Sequence, residues 1–209
     1  MKKLFTTLFI LLVFYSISFA QEDPGTVLYG VEAGYNYSYA TTSNSSIGSR
    51  VKTGFNADVS AEYYFSDTWS LKAKLLYVQR GFSNVSLILD DANGNQTEID
   101  NTSFRLNYIT IPITANWHFG TDGKYCLNLG PYLGMLINSQ SNTYNSNGIF
   151  NTIDLGYDID TGINFPLNDK LKLSIEVEGQ GGLTNITKAN SENGTIMINT
   201  ESLNVGIIF

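Results

Sequence analysis

The chain has little of what catalytic and metal sites are made from. Among 209 residues there is one cysteine, Cys126, and one histidine, His118. A single cysteine excludes an internal disulfide framework, and the two residues together are too sparse for a zinc site. Charge is scarce at 15%, and bases are the scarcer sign, with 12 Lys+Arg against 19 Asp+Glu. A nucleic-acid partner, which requires a basic face against phosphate, is excluded on that ground. Beyond Ile17 there is no apolar run long enough for a membrane helix, and a mean hydropathy of −0.06 excludes a helical membrane bundle. Low charge combined with 43% hydrophobic content also excludes a disordered chain.

The first twenty residues, MKKLFTTLFILLVFYSISFA, read as an export signal. Lys2 and Lys3 form a positive start, Leu4 to Ile17 an apolar stretch, and Ser18 and Ala20 a small-x-small cleavage site. The expected division is a signal peptide at 1–20 and one domain at 21–209, with Gln21 as the mature N-terminus. No cysteine follows the site, so a lipid-anchored product is not expected.

What remains alternates with period two, the signature of strands. Eight segments carry it: Thr26 to Ser38, Val51 to Phe65, Trp69 to Phe82, Leu106 to Phe119, Lys124 to Asn138, Phe150 to Phe165, Lys170 to Thr184, and Met197 to Phe209. In the first, Val27, Tyr29, Val31, Ala33, Tyr35 and Tyr37 share one face, and Gly30, Glu32, Gly34, Asn36 and Ser38 the other. The connections alternate as well. Residues 66–68, 120–123 and 166–169 are short turns, whereas 39–50, 83–103, 139–149 and 185–196 are long and rich in Asn, Ser, Thr and Gly. This is the connectivity of an all-β, antiparallel up-and-down transmembrane barrel, with short periplasmic turns and long external loops. About eleven residues at roughly 3.3 Å each, tilted ~40°, span roughly 27 Å, the height of a barrel's apolar band.

A soluble barrel or a β-sandwich would show the same alternation with the faces exchanged. Two features favour the membrane. The polar face is crowded with Gly, Ser and Asn and keeps its charges at mid-strand, as a narrow lumen allows. The apolar face gathers its aromatics at two levels: Tyr29, Phe65, Trp69, Trp117, Phe119, Tyr125 and Phe165 at one, and Tyr37, Phe55 and Tyr77 at the other. Membrane barrels carry such girdles at both interfaces.

The inward face is expected to carry Glu32, Lys52, Asp58, Glu62, Lys72, Lys74, Arg80, Asp154, Asp158, Asp160, Lys172, Glu176 and Glu178, eight acids and five bases. So many charges cannot sit unpaired in an interior only wide enough for side chains. The turn at 66–68 predicts Glu62 opposite Lys72, and the turn at 166–169 predicts Asp158 opposite Glu176, a repulsive pair. Lys52, Lys74 and Arg80 are expected to neutralise it from across the barrel, giving an ionic network rather than a metal site.

No residue set predicts catalysis, a cofactor or a metal. His118 lies at the turn end of its strand, far from outer-leaflet lipid, and reads as a polar lumen residue rather than a general base. Cys126 reads as a small lumen filler beside Asn116. Asp90, Asp91, Asn93, Asn95 and Glu98 have the oxygen-rich character of a calcium loop without its spacing, and read as a solvated acidic loop. Tyr144 and the Asn/Ser run of 138–147 read as a polar surface loop.

The stretches LKAKLLYVQRGF, LNYITIPI with its internal Pro112, LNLGPYLGMLI, GLTNI and the closing SLNVGIIF resemble the PorT-like outer-membrane β-barrel family. The resemblance covers nearly the whole chain after residue 20. It implies an eight-stranded barrel in the outer membrane, in a family with one member associated with type IX secretion and most without an assigned activity. It supplies no catalytic residue. By the same resemblance, Phe209, outward with Leu203, Val205 and Ile207, is the terminal signal read by the barrel assembly machinery. The function expected is a non-enzymatic, structural or interaction role at the cell surface or in an envelope or secretion assembly. The partners expected are outer-membrane lipid, the assembly machinery and an unidentified envelope protein. A narrow passive pore is one alternative, and a lipid-modifying enzyme, disfavoured by the place of His118, is another.

Overall fold

The computed structural model describes residues 22–42, 50–90, 96–120, 123–142, 146, 148–188 and 195–209, with backbone alone for 84–90 and 96–101. The expected signal peptide, Asp91, Asn93, Asn95 and Tyr144 lie outside these residues, as do the side chains of Asp90 and Glu98.

Eight strands run in chain order: β1 Val27–Thr42, β2 Arg50–Tyr64, β3 Trp69–Asp90, β4 Gln96–Phe119, β5 Tyr125–Ser141, β6 Ile153–Pro166, β7 Lys172–Gly182 and β8 Ile196–Ile208. Each pairs antiparallel with the next, and β8 returns to β1, so the barrel is closed and has no free edge. Phe209 completes the seam, exchanging two 2.8 Å backbone hydrogen bonds with Tyr29. Alternation decides what each strand shows. Leu129 on β5 is 58% exposed, while Asn128 beside it is wholly buried. With polar side chains inward, the apolar face can only be the outer one. Its aromatics stack around the short-turn end, Trp69 on Trp117 (6.4 Å), Trp117 on Phe119 (4.8 Å) and Phe119 on Tyr125 (5.6 Å). Phe55 and Tyr77 pair at the other level, at 5.8 Å. Among the described residues no helix is long and apolar enough to cross a membrane.

Three local details differ from the sequence reading. The stretch 83–103 is mostly strand: β3 and β4 continue past their other neighbours, whose pairing stops at Arg50↔Ser83 and Phe104↔Ser141, as a two-stranded ribbon reaching Asp90↔Gln96. Val85, Leu87, Ile88, Leu89 and Ile99 supply the β propensity. The β6–β7 hairpin turns about Asp169, because the Asn168 side chain accepts the backbone N–H of Lys170 (2.9 Å) and Leu171 (3.0 Å). The β4–β5 hairpin sets Cys126 opposite His118 and Asn128 opposite Asn116, which corrects the expected Cys126–Asn116 pairing. Pro112 stands within β4, and the β3–β4 ladder steps from Ala73↔Ile113 to Leu76↔Thr110 across it, as the missing N–H requires.

Candidate functional site

The lumen is filled in layers, and the middle one holds the densest charge. β3 projects Lys72 and Lys74 inward, and β7 projects Glu176 and Glu178 from the opposite wall. Glu176 is shared: Lys72 Nζ donates to its Oε1 at 2.6 Å and Lys74 Nζ to its Oε2 at 3.0 Å. Lys74 also reaches Glu178 Oε2 at 3.1 Å, Asp160 Oδ2 at 3.3 Å and Glu32 at 4.0 Å. One ammonium thus faces four carboxylates, all buried. The acids are crowded because registers pair them directly, Glu32 with Asp58 across β1–β2 and Asp160 with Glu178 across β6–β7. Like charges placed so are destabilising by themselves, and the lysines from across the barrel hold them together.

Nearer the long loops, Arg80 donates to Asp154 Oδ2 at 3.1 Å and to Tyr132 Oη at 3.3 Å, and lies over the rings of Tyr132 (5.0 Å) and Tyr108 (5.4 Å). Tyr132 donates its own proton to Asp154 at 2.8 Å. Gly156 makes room for that ring, since a Cβ there would fall 2.4 Å from it. Gln180 ties the two layers. Its Oε1 accepts from Arg80, and its Nε2 donates to Asp158 at 2.6 Å and Glu178 at 3.0 Å.

Toward the short turns stands a group of Glu62, Ser70 and His118. His118 Nε2 is 2.6 Å from Glu62 Oε1 and 3.1 Å from Ser70 Oγ, and Ser70 donates to Glu62. These are the residue types of a hydrolase triad, but the wiring differs. A triad uses the two ring nitrogens separately, one for the acid and one for the nucleophile. Here both partners meet the same nitrogen, beneath the Tyr64 ring at 4.9 Å. The serine hydroxyl is spent on the carboxylate and buried.

From Leu76 of β3 toward the long loops the lumen is apolar around the Arg80 group. Leu76, Val78, Phe82, Phe104, Leu106 and Tyr108 from β3 and β4 pack with Phe150, Ile186, Ile196 and Ile198 in one buried cluster. Phe104 meets Phe82 at 5.4 Å and Phe150 at 5.2 Å. Phe150 and Ile186 come from the β5–β6 and β7–β8 connections, which bridge at Phe150↔Thr187. Asn151 clamps that bridge, its Nδ2 donating to the carbonyls of Asn185 (2.8 Å) and Thr187 (3.0 Å). Asn185 Oδ1 accepts from Thr187 Oγ1 at 2.9 Å and Ile196 N at 3.1 Å.

The expected network is therefore redistributed. Glu32, Asp58, Lys72, Lys74, Asp158, Glu176 and Glu178 meet at mid-height with Asp160. Glu62 does stand opposite Lys72 in register, but it binds His118, Ser70 and Asn116 while Lys72 turns to Glu176, so the expected Glu62–Lys72 ion pair is corrected. Asp158 faces Gln180 and Glu176 faces Gly162, which corrects the expected Asp158–Glu176 opposition; the turn about Asp169 is the cause. Lys52 does not neutralise these acids. It sits near the long-loop end, bonded to Ser103 Oγ at 2.5 Å. Arg80 serves Asp154 one layer up. Sequence reasoning overlooked the plug, although the inward row of β3 already changes from Lys72 and Lys74 to Leu76 and Val78.

A closed antiparallel barrel with an apolar belt outside and a polar, charged lumen is an integral outer-membrane barrel protein. The chain belongs to the outer membrane protein beta-barrel domain family, whose model matches residues 19–188, and its location is the outer membrane. Nothing among curated proteins matches it. Several solved structures are similar. The attachment invasion locus protein Ail of Yersinia pestis, crystallised with the heparin analogue sucrose octasulfate, is 14% identical with a TM-score of 0.43, over 88% of this chain and 99% of that one. Neisserial surface protein A is 17% identical with a TM-score of 0.48, over 86% and 95%. OprG from Pseudomonas aeruginosa is 10% identical with a TM-score of 0.49, over 90% and 98%.

Proposed function

We propose that the protein is a sealed, non-enzymatic outer-membrane barrel of the PorT-like kind, acting as a structural element or as a partner in an envelope, cell-surface or secretion assembly. The observation that carries this reading is the double closure of the lumen, by the lysine–carboxylate layer at mid-height and by the apolar plug above it. The shared nitrogen of His118 and the buried Ser70 argue against hydrolysis in the same direction. The reading includes export with removal of residues 1–20, and recognition of Phe209 by the assembly machinery.

Planar-bilayer recording tests the closure. The purified protein is expected to show no steady open level at moderate salt, and a stable ohmic conductance would shift the reading to a passive pore. Unchanged lipid A masses after deletion of the gene are expected if the protein is not a lipid-modifying enzyme. N-terminal sequencing should return Gln21. Phe209→Ala should reduce the amount of folded, heat-modifiable barrel in the membrane, and an unchanged amount would remove the signal role.

A further inference from the structure

The charges in the middle of the lumen do not balance. Three of the bases expected there are elsewhere: Lys52 bonds Ser103, Lys172 bonds Glu22 at 2.6 Å at the short-turn rim, and Arg80 bonds Asp154 one layer up. Six buried acids, Glu32, Asp58, Asp158, Asp160, Glu176 and Glu178, are left with Lys72 and Lys74. Glu176 takes both lysines, and Lys74 is shared further with Asp160 and Glu178, so Asp158 has no cation of its own.

The geometry points to a divalent cation, calcium by its donor set, held by Asp158, Asp160 and Glu178. One oxygen from each of the three carboxylates lies within 4.8 Å of the others. One ion with ligands at about 2.4 Å, the calcium distance, can bridge all three, whereas magnesium dehydrates reluctantly and keeps several waters, which a buried all-protein site does not offer it. Two further facts mark a ligand rather than mere crowding. Asp158 Oδ1 and Asp160 Oδ1 accept no hydrogen bond although their residues are 0% and 1% exposed. Lys74 and Gln180 engage the other oxygen of each, Oδ2, and so leave these two free. Asn128, a neutral and fully buried residue of β5, brings its amide to the same place. Its Nδ2 is 3.4 Å from Asp160 Oδ2, and its Oδ1 is likewise without a partner. The amide nitrogen faces Asp160 here, and the same amide turned over brings its oxygen, an ordinary calcium ligand, to that carboxylate. Gln180 donates to both Asp158 and Glu178 and holds the two carboxylates in place from behind. The sequence reading expected no metal because it set Lys52 and Arg80 beside Lys74 against these acids, whereas they bond Ser103 and Asp154.

The test uses protein extracted from outer membranes in detergent, stripped with EDTA and exchanged into metal-free buffer. It is then incubated with calcium chloride, desalted and analysed for bound calcium by mass spectrometry. The unfolding midpoint is followed by the heat-dependent gel shift. The expectation is about one calcium per barrel, retained in a tenfold excess of magnesium, with the midpoint raised by about 5 °C over EDTA. Asp158→Asn and Asp160→Asn should each bind calcium at least about tenfold more weakly and lose the calcium-dependent rise. Both should still fold, because each removes one of the crowded negative charges, and their midpoints in EDTA report this directly. If both failed to fold, the wild-type result would decide alone. Wild-type protein that retains no calcium and melts identically in calcium and EDTA would overturn the proposal. So would equal calcium binding by wild type and variants, which would place the ion elsewhere. A wild-type midpoint that rises on acidification while calcium has no effect would assign the neutralising role to a shared proton and overturn it as well.

Discussion

Along β3 the inward row passes from Lys72 and Lys74 to Leu76 and Val78, and the barrel changes character over that short distance. Below the change, Glu62, Lys72, Lys74 and Glu176 are each held by named partners on other strands, and few side chains could replace them. Above it, Phe82, Phe104, Phe150 and Ile186 are held by shape and volume. Both regions are equally buried, so burial does not separate them. They differ in what a substitution leaves behind. In the charged layer a missing partner strands a buried charge, whereas in the plug it leaves a cavity that neighbours can partly refill.

Five substitutions at four positions would break or sharpen this contrast. The largest effect is expected from Lys74→Met, which keeps the volume and strands Asp160, Glu176 and Glu178; the loss should be about 3–5 kcal/mol in denaturant unfolding. Phe150→Ala should cost about 3 kcal/mol, and Phe150→Leu less than about 1.5 kcal/mol, a tolerance the charged layer should not show. A Lys74→Met variant as stable as Phe150→Leu would erase the distinction. Asn185→Ala should cost about 1–2 kcal/mol and act locally, speeding amide exchange at Thr187 and Ile196 while β3 and β7 stay protected. The smallest effect is expected at the rim. Glu22→Gln breaks the half-exposed pair with Lys172 and should change the unfolding free energy by less than about 1 kcal/mol. The Lys74 and Glu22 variants together measure how much depth in the lumen matters to an ion pair.

The strand number and the two faces were legible because the alternation of residues such as Leu127, Asn128 and Leu129 is set by the pleat itself. The inward identity of the charged residues followed from the same parity. Their partners did not, because partners depend on register and height, which alternation does not encode. The Asn168 turn moved Asp158 away from Glu176, and the sequence carries that only as a single turn-forming side chain. Lys52 was placed on the correct face and at the wrong level. Phe150 and Ile186 were hidden for another reason. Phe150 reads only as the first residue of the sixth alternating segment, and Ile186 is a lone apolar residue in Asn-rich sequence, so neither is marked as core. Asn185 reads as loop polarity and Asn151 as one more residue of the sixth segment, whereas their amides clamp the plug.

The acidic inward row of β6 and β7 bears on the order in which the barrel forms. As a hairpin by itself it would set Asp160 against Glu178, with Asp158 and Glu176 close by, while the one base on its strands, Lys172, stands away at the short-turn rim. The lysines that relieve it belong to β3, 102 to 104 residues earlier in the chain. In a sheet that has not yet curled, β3 and β7 are separated by three strands and the ammonium groups cannot reach. Partly rolled intermediates therefore carry the repulsion without the relief, and the two arrive at balance only when the walls face each other. The β8–β1 seam and the relief of the hairpin depend on the same curvature, so each favours the other.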